Sequence, residues 1–326
     1  MKSISRRKVV AGSLTAAALP LFSIGRARAA LPAEITIDYA YYSPLSLLLK
    51  NSDALKQVLP DTRVNFVLSQ GSNKALEFLR GRSIVLGSAA GSATLLARAN
   101  GTPVQTVYVN DRAETTALVT KKASPIQTVA DLKGKKVAVT PGTEPYAFLL
   151  QALSGAGLKP ADIVIVPLQH PLGHAALNRG DVDAWAGLDP FMAEGQLQNG
   201  DRLFYRNTAI ITPNVLVVRE DYAARQPEVI LKLLQAYEIV RKQAVASPDL
   251  LITNLVKEAS LTPDVAKLEI SRQSFTNPVL DDAGAAKIIA DGKIFQQFGF
   301  IKPNVDIEKT VAALNNRSFT GQLVNG

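Results

Sequence analysis

The chain has 326 residues, of which 47% are hydrophobic, with 36 Lys plus Arg against 28 Asp plus Glu and no Cys. Six of the basic side chains and none of the acidic ones fall in residues 1–30, so the rest of the chain carries 30 basic and 28 acidic groups. This near balance of basic and acidic side chains argues against a nucleic-acid-binding domain. The absence of Cys excludes disulfides, thiolate metal sites and lipid attachment through cysteine.

The N-terminal segment has the order of a secretory signal. A basic start is followed by a weakly apolar stretch over residues 9–24 and by the small-residue pattern Ala-Arg-Ala at 27–29. This order predicts a signal peptide over residues 1–29, cleaved near Ala29 and Ala30. We therefore expect an exported periplasmic protein with no lipid anchor.

The export route is less well defined by the sequence. Arg6 and Arg7 resemble the pair of a twin-arginine signal, but Val9 and Val10 stand where Phe and Leu are usual. Both the twin-arginine and the general secretory routes stay open. No other window is long and apolar enough to predict a membrane span.

In the remaining chain, short runs rich in β-branched residues alternate with segments of helical periodicity. The predicted strands cover residues 35–42, 63–69, 84–87, 104–109, 135–140, 163–168, 182–186 and 215–218. The predicted helices cover 45–59, 74–80, 94–99, 146–153, 175–178 and 191–198, and the chain is helical from 227 onward. This alternation predicts an α/β fold with parallel sheets covered on both faces.

The alternation forms two blocks, residues 35–110 and 135–206, followed by a helical tail too long to be a linker. The joining segments 116–119 and 214–217 are apolar and extended. They suit paired hinge strands better than a flexible linker, which would be rich in Gly, Ser or Pro.

Two arrangements of these blocks are possible: two domains in series, or a first lobe completed by the tail. We favour the second, with lobe 1 formed by 30–116 and 214–326 and lobe 2 by 117–213. Ligands bind beyond the carboxyl ends of the strands in open parallel sheets. The sequence therefore predicts a ligand cleft between the two lobes.

At three places a predicted strand ends in small or hydroxyl residues and a helix begins. The residues are Ser43, then Ser88, Ala89 and Ala90, then Gly142 and Thr143. Each turn would present free backbone N–H groups at a helix N-terminus beside a hydroxyl, which suits an anion with several acceptor oxygens. The hydroxyl residues could also serve as N-caps, and the two roles are compatible.

Glu144 lies in the first turn of the helix that follows Thr143. A negative charge is favourable there, but pointing into the site it would repel an anion. Either Glu144 points away, which we favour, or the ligand carries a cationic end near it.

Other chemistries have little support. His170 and His174 are four residues apart, but Pro171 and Gly173 lie close by, so we expect loop or surface histidines and no metal site. Two histidines without a cysteine also make a Ser-His-Asp hydrolase a weak hypothesis. Asp189 precedes a proline, which is typical of an N-cap, and it could also contact a ligand from the cleft wall.

Two segments resemble a known family. Residues 124–139 read SPIQTVADLKGKKVAV, and residues 180–185 read GDVDAW, followed by LDPF at 188–191. Together they resemble the substrate-binding proteins of ABC importers for aliphatic sulfonates, nitrate and taurine. The likeness runs from residue 35 to about 222, and the tail matches in pattern only. The second segment points to the sulfonate branch.

The resemblance implies a type II periplasmic binding protein fold: two parallel-rich sheets joined by two hinge strands, with the ligand cleft between the lobes. It implies that helix N-termini and hydroxyls hold the oxyanion, at positions matching Ser43, Ser88, Ala89, Ala90, Gly142 and Thr143. The remaining wall would come from Tyr42, Tyr146, Asp189 and Asn214. Relatives often have Trp where this chain has Leu188, so the part of the pocket around the ligand's tail should differ.

The resemblance also implies a function. The protein would capture an alkane- or arylsulfonate and deliver it to a membrane permease and, through it, to a cytoplasmic ATPase. We expect a monomer without cofactor, metal or enzymatic activity. Taurine, whose ammonium would meet Glu144 or Asp189, and nitrate are alternative ligands. A pyrimidine-precursor synthase on the same fold is less favoured because it would need a cysteine cluster. A sensor could use the same binding protein.

Overall fold

The computed structural model describes residues 31–324. The predicted signal peptide, its cleavage site and the arginine pair lie outside these residues. Within them, no helix combines the length and apolar character needed to cross a bilayer.

Eleven strands are present in the described residues. They are β1 (Glu34–Tyr39), β2 (Arg63–Leu68), β3 (Gly87–Ala90), β4 (Val104–Ala113), β5 (Thr116–Thr120), β6 (Lys136–Val139), β7 (Val164–Pro167), β8 (Ala184–Leu188), β9 (Arg202–Tyr205), β10 (Asn214–Arg219) and β11 (Gln273–Ser274).

Fourteen α-helices accompany them in the same part of the chain. They are α1 (Pro44–Lys50), α2 (Ala54–Val58), α3 (Ser72–Arg80), α4 (Gly91–Ala99), α5 (Glu144–Gly155), α6 (His170–Arg179), α7 (Phe191–Glu194), α8 (Glu220–Arg225), α9 (Pro227–Ala246), α10 (Asp249–Ala259), α11 (Pro263–Ile270), α12 (Asp282–Gln297), α13 (Ile307–Leu314) and α14 (Ser318–Val324).

The strands form two main sheets. Sheet I has the order β11-β4-β10-β3, and the parallel pair β1-β2 lies beside it through a bridge between Ile37 and Leu86. Sheet II has the order β7-β6-β8-β5-β9. The chain passes from sheet I to sheet II between β4 and β5 and returns between β9 and β10.

The sheets are mixed, not parallel-rich. All pairings in sheet I are antiparallel, whereas sheet II joins two parallel pairings of β6 to two antiparallel pairings of β5. The segments predicted as paired hinge strands, β5 and β10, do not pair with each other. Each is an inner strand of its own sheet, which is why all residues of both strands are buried.

Several predicted boundaries were wrong for local reasons. The helix predicted over 45–59 is two helices, because Asn51 and Ser52 turn their side chains back onto the carbonyls of Leu47 and Leu49 and end α1. The strand predicted over 84–87 lies at 87–90, where β3 pairs with β10, and residues 85 and 86 hydrogen-bond to β1 instead.

The histidine segment is a helix and not a loop. Pro171 lies in the first turn of α6, where its missing N–H costs no hydrogen bond. Gly173 allows the helix to approach sheet II, since a Cβ there would lie 2.7 Å from Trp185 Nε1. Both His170 and His174 are buried.

The largest apolar core is continuous from sheet I to sheet II. It includes Val215 and Val217 of β10, Val137 and Val139 of β6, and the buried face of α5. Helices α4 and α12 pack against α5 in the same core. The N-terminus of α5 is therefore held by packing from both sides, which positions the turn before it.

Candidate functional site

A cavity of about 260 Å³ lies between the ends of β1 and β2 on one side and the end of β8 on the other. Its lining is mostly aromatic and apolar, from Tyr41, Tyr42, Leu68, Ser69, Gln70, Pro171, Leu188, Asp189, Pro190 and Phe191. These residues follow the carboxyl ends of parallel strands or begin α6, the place where α/β folds bind ligands. Leu188, at the end of β8, is part of this wall.

Three of the predicted site residues meet beside this cavity. The hydroxyl of Tyr42 donates to the carbonyl of Ser88 at 2.8 Å. Asn110 Nδ2 donates to Ser43 Oγ at 2.6 Å, and Ser43 Oγ donates to Ser88 Oγ at 3.4 Å. Ser43 and Ser88 are completely buried. The structure thus brings Tyr42, Ser43 and Ser88 into one hydrogen-bonded group.

The same network reaches Asn214. Asn214 Nδ2 donates to Asp111 Oδ1 at 3.0 Å, and Asn110 Nδ2 donates to Asp111 Oδ2 at 3.3 Å. Burial raises the pKa of Asp111 to about 7, although the bonds from Asn214 and Asn110 lower it. Asn110 and Asp111 escaped the sequence analysis; the signal available was a pair of polar residues interrupting an apolar strand.

The turn at 88–90 does not offer the free N–H groups that the sequence predicted. The N–H of Ser88 donates to Asp38 Oδ1 at 2.9 Å, and that of Ala90 donates to Ser72 Oγ at 3.0 Å. Ala89 is paired within sheet I opposite Val215. The prediction failed because a buried carboxylate and a serine hydroxyl from neighbouring elements take these donors. Burial raises the pKa of Asp38 to about 7.

The turn before α5 does match the prediction. Gly142 adopts φ +74°, and Thr143 is the N-cap, with its Oγ1 donating to the carbonyl of Thr140 at 2.7 Å. In the described part of the chain, the N–H groups of Gly142, Thr143 and Glu144 donate to no protein acceptor. They form an unsatisfied helix N-terminus.

A second such N-terminus was missed. Gly71 is the N-cap of α3, and the N–H groups of residues 71–73 also lack a protein acceptor among the described residues. A Cβ on Gly142 would lie 3.7 Å from Asn73 Cβ, and one on Gly71 would lie 3.2 Å from His170 Nε2 at the start of α6. The first turns of α3, α5 and α6 therefore converge. The signal available in the sequence was Gly71, between the strand predicted over 63–69 and the helix predicted over 74–80.

The other predicted wall residues have different surroundings. Tyr146 packs edge-on against Phe300, with ring centroids 5.3 Å apart, and does not line the cavity. Burial raises its pKa to about 12. Asp189 does line the cavity, but Arg272 Nη1 donates to both of its carboxylate oxygens, at 2.9 and 2.8 Å. Its charge is therefore already neutralised by the protein.

Glu144 points away from the cavity. Its carboxylate accepts bonds from the N–H of Thr212 at 2.7 Å, from Thr212 Oγ1 at 2.5 Å and from Ser92 Oγ. Desolvation by burial raises its pKa, and these hydrogen bonds oppose the rise. The favoured orientation agrees with the sequence analysis, and the alternative contact with a cationic ligand end has no support in this geometry.

The described residues contain no group of three or more His, Cys, Asp or Glu arranged to hold a metal ion. His170 and His174 face different surroundings. The ring of His174 stacks on the ring of Trp185, with centroids 5.5 Å apart. His170 lies where the first turns of α3 and α6 meet.

Known proteins resemble this chain along most of its length. A putative aliphatic sulfonates-binding protein of Escherichia coli (strain K12) is 29% identical over 283 residues, covering 86% of this chain and 89% of that protein. The taurine-binding periplasmic protein of the same organism is 30% identical over 171 residues, covering 51% and 52% of the two chains.

A solved structure confirms the predicted fold. The alkanesulfonate-binding protein SsuA from Xanthomonas axonopodis pv. citri bound to MOPS superposes with a TM-score of 0.81 at 26% identity, covering 89% of this chain and 100% of that one. The family model described as NMT1/THI5 like matches residues 63–250. Since this match spans more than half of the sequence, the chain belongs to the NMT1/THI5-like family.

Proposed function

We propose that the protein is the solute-binding component of an ABC importer and captures an organic sulfonate between sheets I and II. The observation that carries the proposal is the cavity with an aromatic and apolar wall, which Gln70 lines next to the unsatisfied first turn of α3. The unsatisfied first turn of α5 meets that of α3 at Gly142 and Asn73. The relatives named as sulfonate- and taurine-binding proteins support the same ligand class.

The chemistry of a sulfonate suits this arrangement. A sulfonate stays ionised at physiological pH and accepts hydrogen bonds without donating any. Backbone N–H groups at helix N-termini hold such an anion without an arginine, because the helix dipoles add to the hydrogen bonds. Asp189 is the one carboxylate among the lining residues, and Arg272 already pairs with it, so repulsion of an anion is reduced.

We assign the anion contacts to Gly142, Thr143 and the turn at 71–73. In this proposal Ser43, Ser88, Ala89 and Ala90 form the rigid support beneath the cleft, together with Asn214. Tyr42 and Leu188 would contact the organic tail. Tyr146 and Asp189 would hold the surrounding structure in place.

The lobe boundaries belong to the same proposal. Lobe 1 would comprise 30–116 and 214–326 and lobe 2 would comprise 117–213, which is supported by the return of β10 to sheet I. Closure of the lobes on ligand would create the form that a permease and its cytoplasmic ATPase accept. We expect a monomeric periplasmic protein without enzymatic activity, as its relatives are named for binding.

Thermal unfolding of the purified protein against a ligand panel tests the function. The panel holds alkanesulfonates of rising chain length, an arylsulfonate, taurine, nitrate, sulfate and a thiamine pyrimidine precursor. A ligand at about 100 times its dissociation constant stabilises by about 2.7 kcal/mol, which raises the unfolding midpoint measurably. We expect a shift with sulfonates and none with sulfate. A shift confined to nitrate or to the pyrimidine would contradict the proposal.

A further inference from the structure

The buried ring of His170 has one nitrogen in a hydrogen bond and one without a partner. Thr140 Oγ1 donates its hydrogen to the carbonyl of Leu168 at 2.7 Å. It can therefore only accept from His170 Nδ1, which lies 3.2 Å away. Nδ1 thus carries the hydrogen, and Nε2 presents a lone pair. Burial lowers the pKa of His170 to about 3, so the ring stays neutral and Nε2 stays an acceptor.

Nε2 is completely buried where the first turn of α3 packs against the start of α6, one residue along the chain from the cavity wall. It has no hydrogen-bond partner among the described residues, and it would be 3.2 Å from a Cβ on Gly71. The neighbours of these two residues, Pro171 and Gln70, both line the cavity. The unused lone pair is therefore placed where the first turn of α3 meets the start of α6.

Two further buried acceptors on residues close in sequence to Gly71 and His170 lack partners: Gln169 Oε1, in the N-cap residue of α6, and Asn73 Oδ1, in the first turn of α3. Leaving a buried acceptor without a donor is unfavourable. An unsubstituted alkanesulfonate cannot satisfy any of them, since it offers only acceptor oxygens and apolar surface. The helix N-termini account for the anion, and His170 Nε2, the acceptor placed against Gly71, calls for a donor on the same ligand.

The donor should be uncharged. An ammonium group taken from water needs a nearby negative charge. The carboxylate that lines the cavity, Asp189, is bound to Arg272, and Glu144 is turned toward Thr212. A hydroxyl needs only an acceptor such as Nε2.

Resting on the proposed function, we propose that His170 is a specificity-determining residue and that the preferred ligands are hydroxyalkanesulfonates, whose hydroxyl donates to His170 Nε2. The anion end binds the N–H groups of the converging helices, and the hydroxyl pairs with the imidazole.

Three ligands of nearly equal size test this proposal on the unmodified protein: 2-hydroxyethanesulfonate, propane-1-sulfonate and 2-aminoethanesulfonate. Titration calorimetry gives their dissociation constants. We expect the hydroxyl compound to bind at least about tenfold more tightly than propane-1-sulfonate, the effect of satisfying one buried acceptor. It should also bind more tightly than the amine. Equal affinities, or tightest binding of the amine, would overturn the proposal while leaving sulfonate binding intact. Failure of every sulfonate to bind would overturn both.

Variants locate the effect at one atom. His170→Phe removes the acceptor but keeps a ring against Gly71, so the ratio of the dissociation constants of propane-1-sulfonate and the hydroxyl compound should fall to about one. His170→Gln, which restores an acceptor oxygen, should recover part of the preference. His174→Gln, in the same helix but beside Trp185, should retain it fully. Equal weakening of all three ligands by His170→Phe would mean that the ring only packs between the sheets.

Discussion

Thr212 holds the carboxylate of Glu144 with two donors, its N–H to Oε1 at 2.7 Å and its Oγ1 to Oε2 at 2.5 Å. Glu144 is the first residue of α5, and Thr212 lies two residues before β10, the strand that returns to sheet I. The contact therefore ties the N-terminus of α5, where the free N–H groups lie, to the segment that crosses between the sheets.

Glu144→Gln should lower stability without changing ligand preference. The amide of Gln has an NH₂ group where Glu144 has a carboxylate oxygen that accepts hydrogen bonds. That group cannot accept from Thr212 or Ser92, which costs about 1–3 kcal/mol of unfolding free energy. All sulfonates should be affected to the same extent because the side chain does not face the cavity. Glu308→Gln, at an exposed ion pair with Lys293, serves as the control and should change stability little. Denaturant unfolding and calorimetry check both points. A loss of affinity confined to taurine would place Glu144 against the ligand.

The alternation of short strands and helices was sufficient to predict the α/β fold and the location of the cleft at strand ends. Two elements that the sequence predicted wrongly depend on contacts with residues outside their own segment of the chain. The helix at His170 required knowing that Gly173 packs against Trp185, a contact that no local pattern indicates. The strand at 87–90 likewise depends on its pairing with β10, more than a hundred residues later.

The candidate site was less predictable, for a related reason. A strand–turn–helix pattern predicts where N–H groups emerge, but not whether another element supplies an acceptor. The N–H of Ser88 donates to Asp38, which lies in β1, and the N–H of Ala90 donates to Ser72, which begins α3. Before α5 no such acceptor is present among the described residues, so there the same pattern gave the correct result.

Gly142→Ala should weaken sulfonate binding as well as stability. Gly142 has φ +74°, and a side chain in this left-handed conformation costs about 1–2 kcal/mol. Gly134→Ala is a matched control, since Gly134 has φ +73° and a Cβ there would meet nothing within 4 Å. Both variants should lose similar stability, because the backbone cost is the same. Only Gly142→Ala should lower sulfonate affinity, by about tenfold, through misdirected N–H groups. Equal affinities in the two variants would exclude the α5 turn from the site.

Asp111→Asn should change the pH dependence of stability. Burial raises the pKa of Asp111 from 3.8 to about 7. Because the folded-state pKa is the higher one, the stability contributed by the protonated form is complete below about pH 4 and is lost as the pH rises through about 7. Asn keeps the shape without ionising. Relative to the unmodified protein, the variant should therefore gain stability on the order of 4 kcal/mol between about pH 4 and pH 8. Denaturant unfolding over this range measures the difference, and parallel curves would exclude a raised pKa.

Arg272→Met should be strongly destabilising because Arg272 pairs with a buried carboxylate. The side chains of Arg272 and Asp189 are 7% and 1% exposed, and Arg272 Nη1 donates to both carboxylate oxygens of Asp189. Removing one partner of a buried pair costs about 3–5 kcal/mol, since the other charge is left unpaired. The double variant Arg272→Met with Asp189→Asn should recover part of that loss. Arg179→Met removes the exposed pair with Asp181 and should cost less than about 1 kcal/mol.

The pH dependence of the Arg272→Met loss identifies its cause. Burial raises the pKa of Asp189 to about 6 even with Arg272 present, and Arg272 opposes that rise. Without Arg272 the folded-state pKa of Asp189 should be higher still. An Asp189 with a raised folded-state pKa destabilises the folded protein progressively as the pH rises from its unfolded pKa of about 4 to its folded-state pKa, and by a constant amount above that. The variant should therefore match the double variant below about pH 4 and diverge from it as the pH rises from about 4 through about 6 and beyond. A loss that is constant across this range would indicate lost packing of the arginine side chain and not an unpaired Asp189.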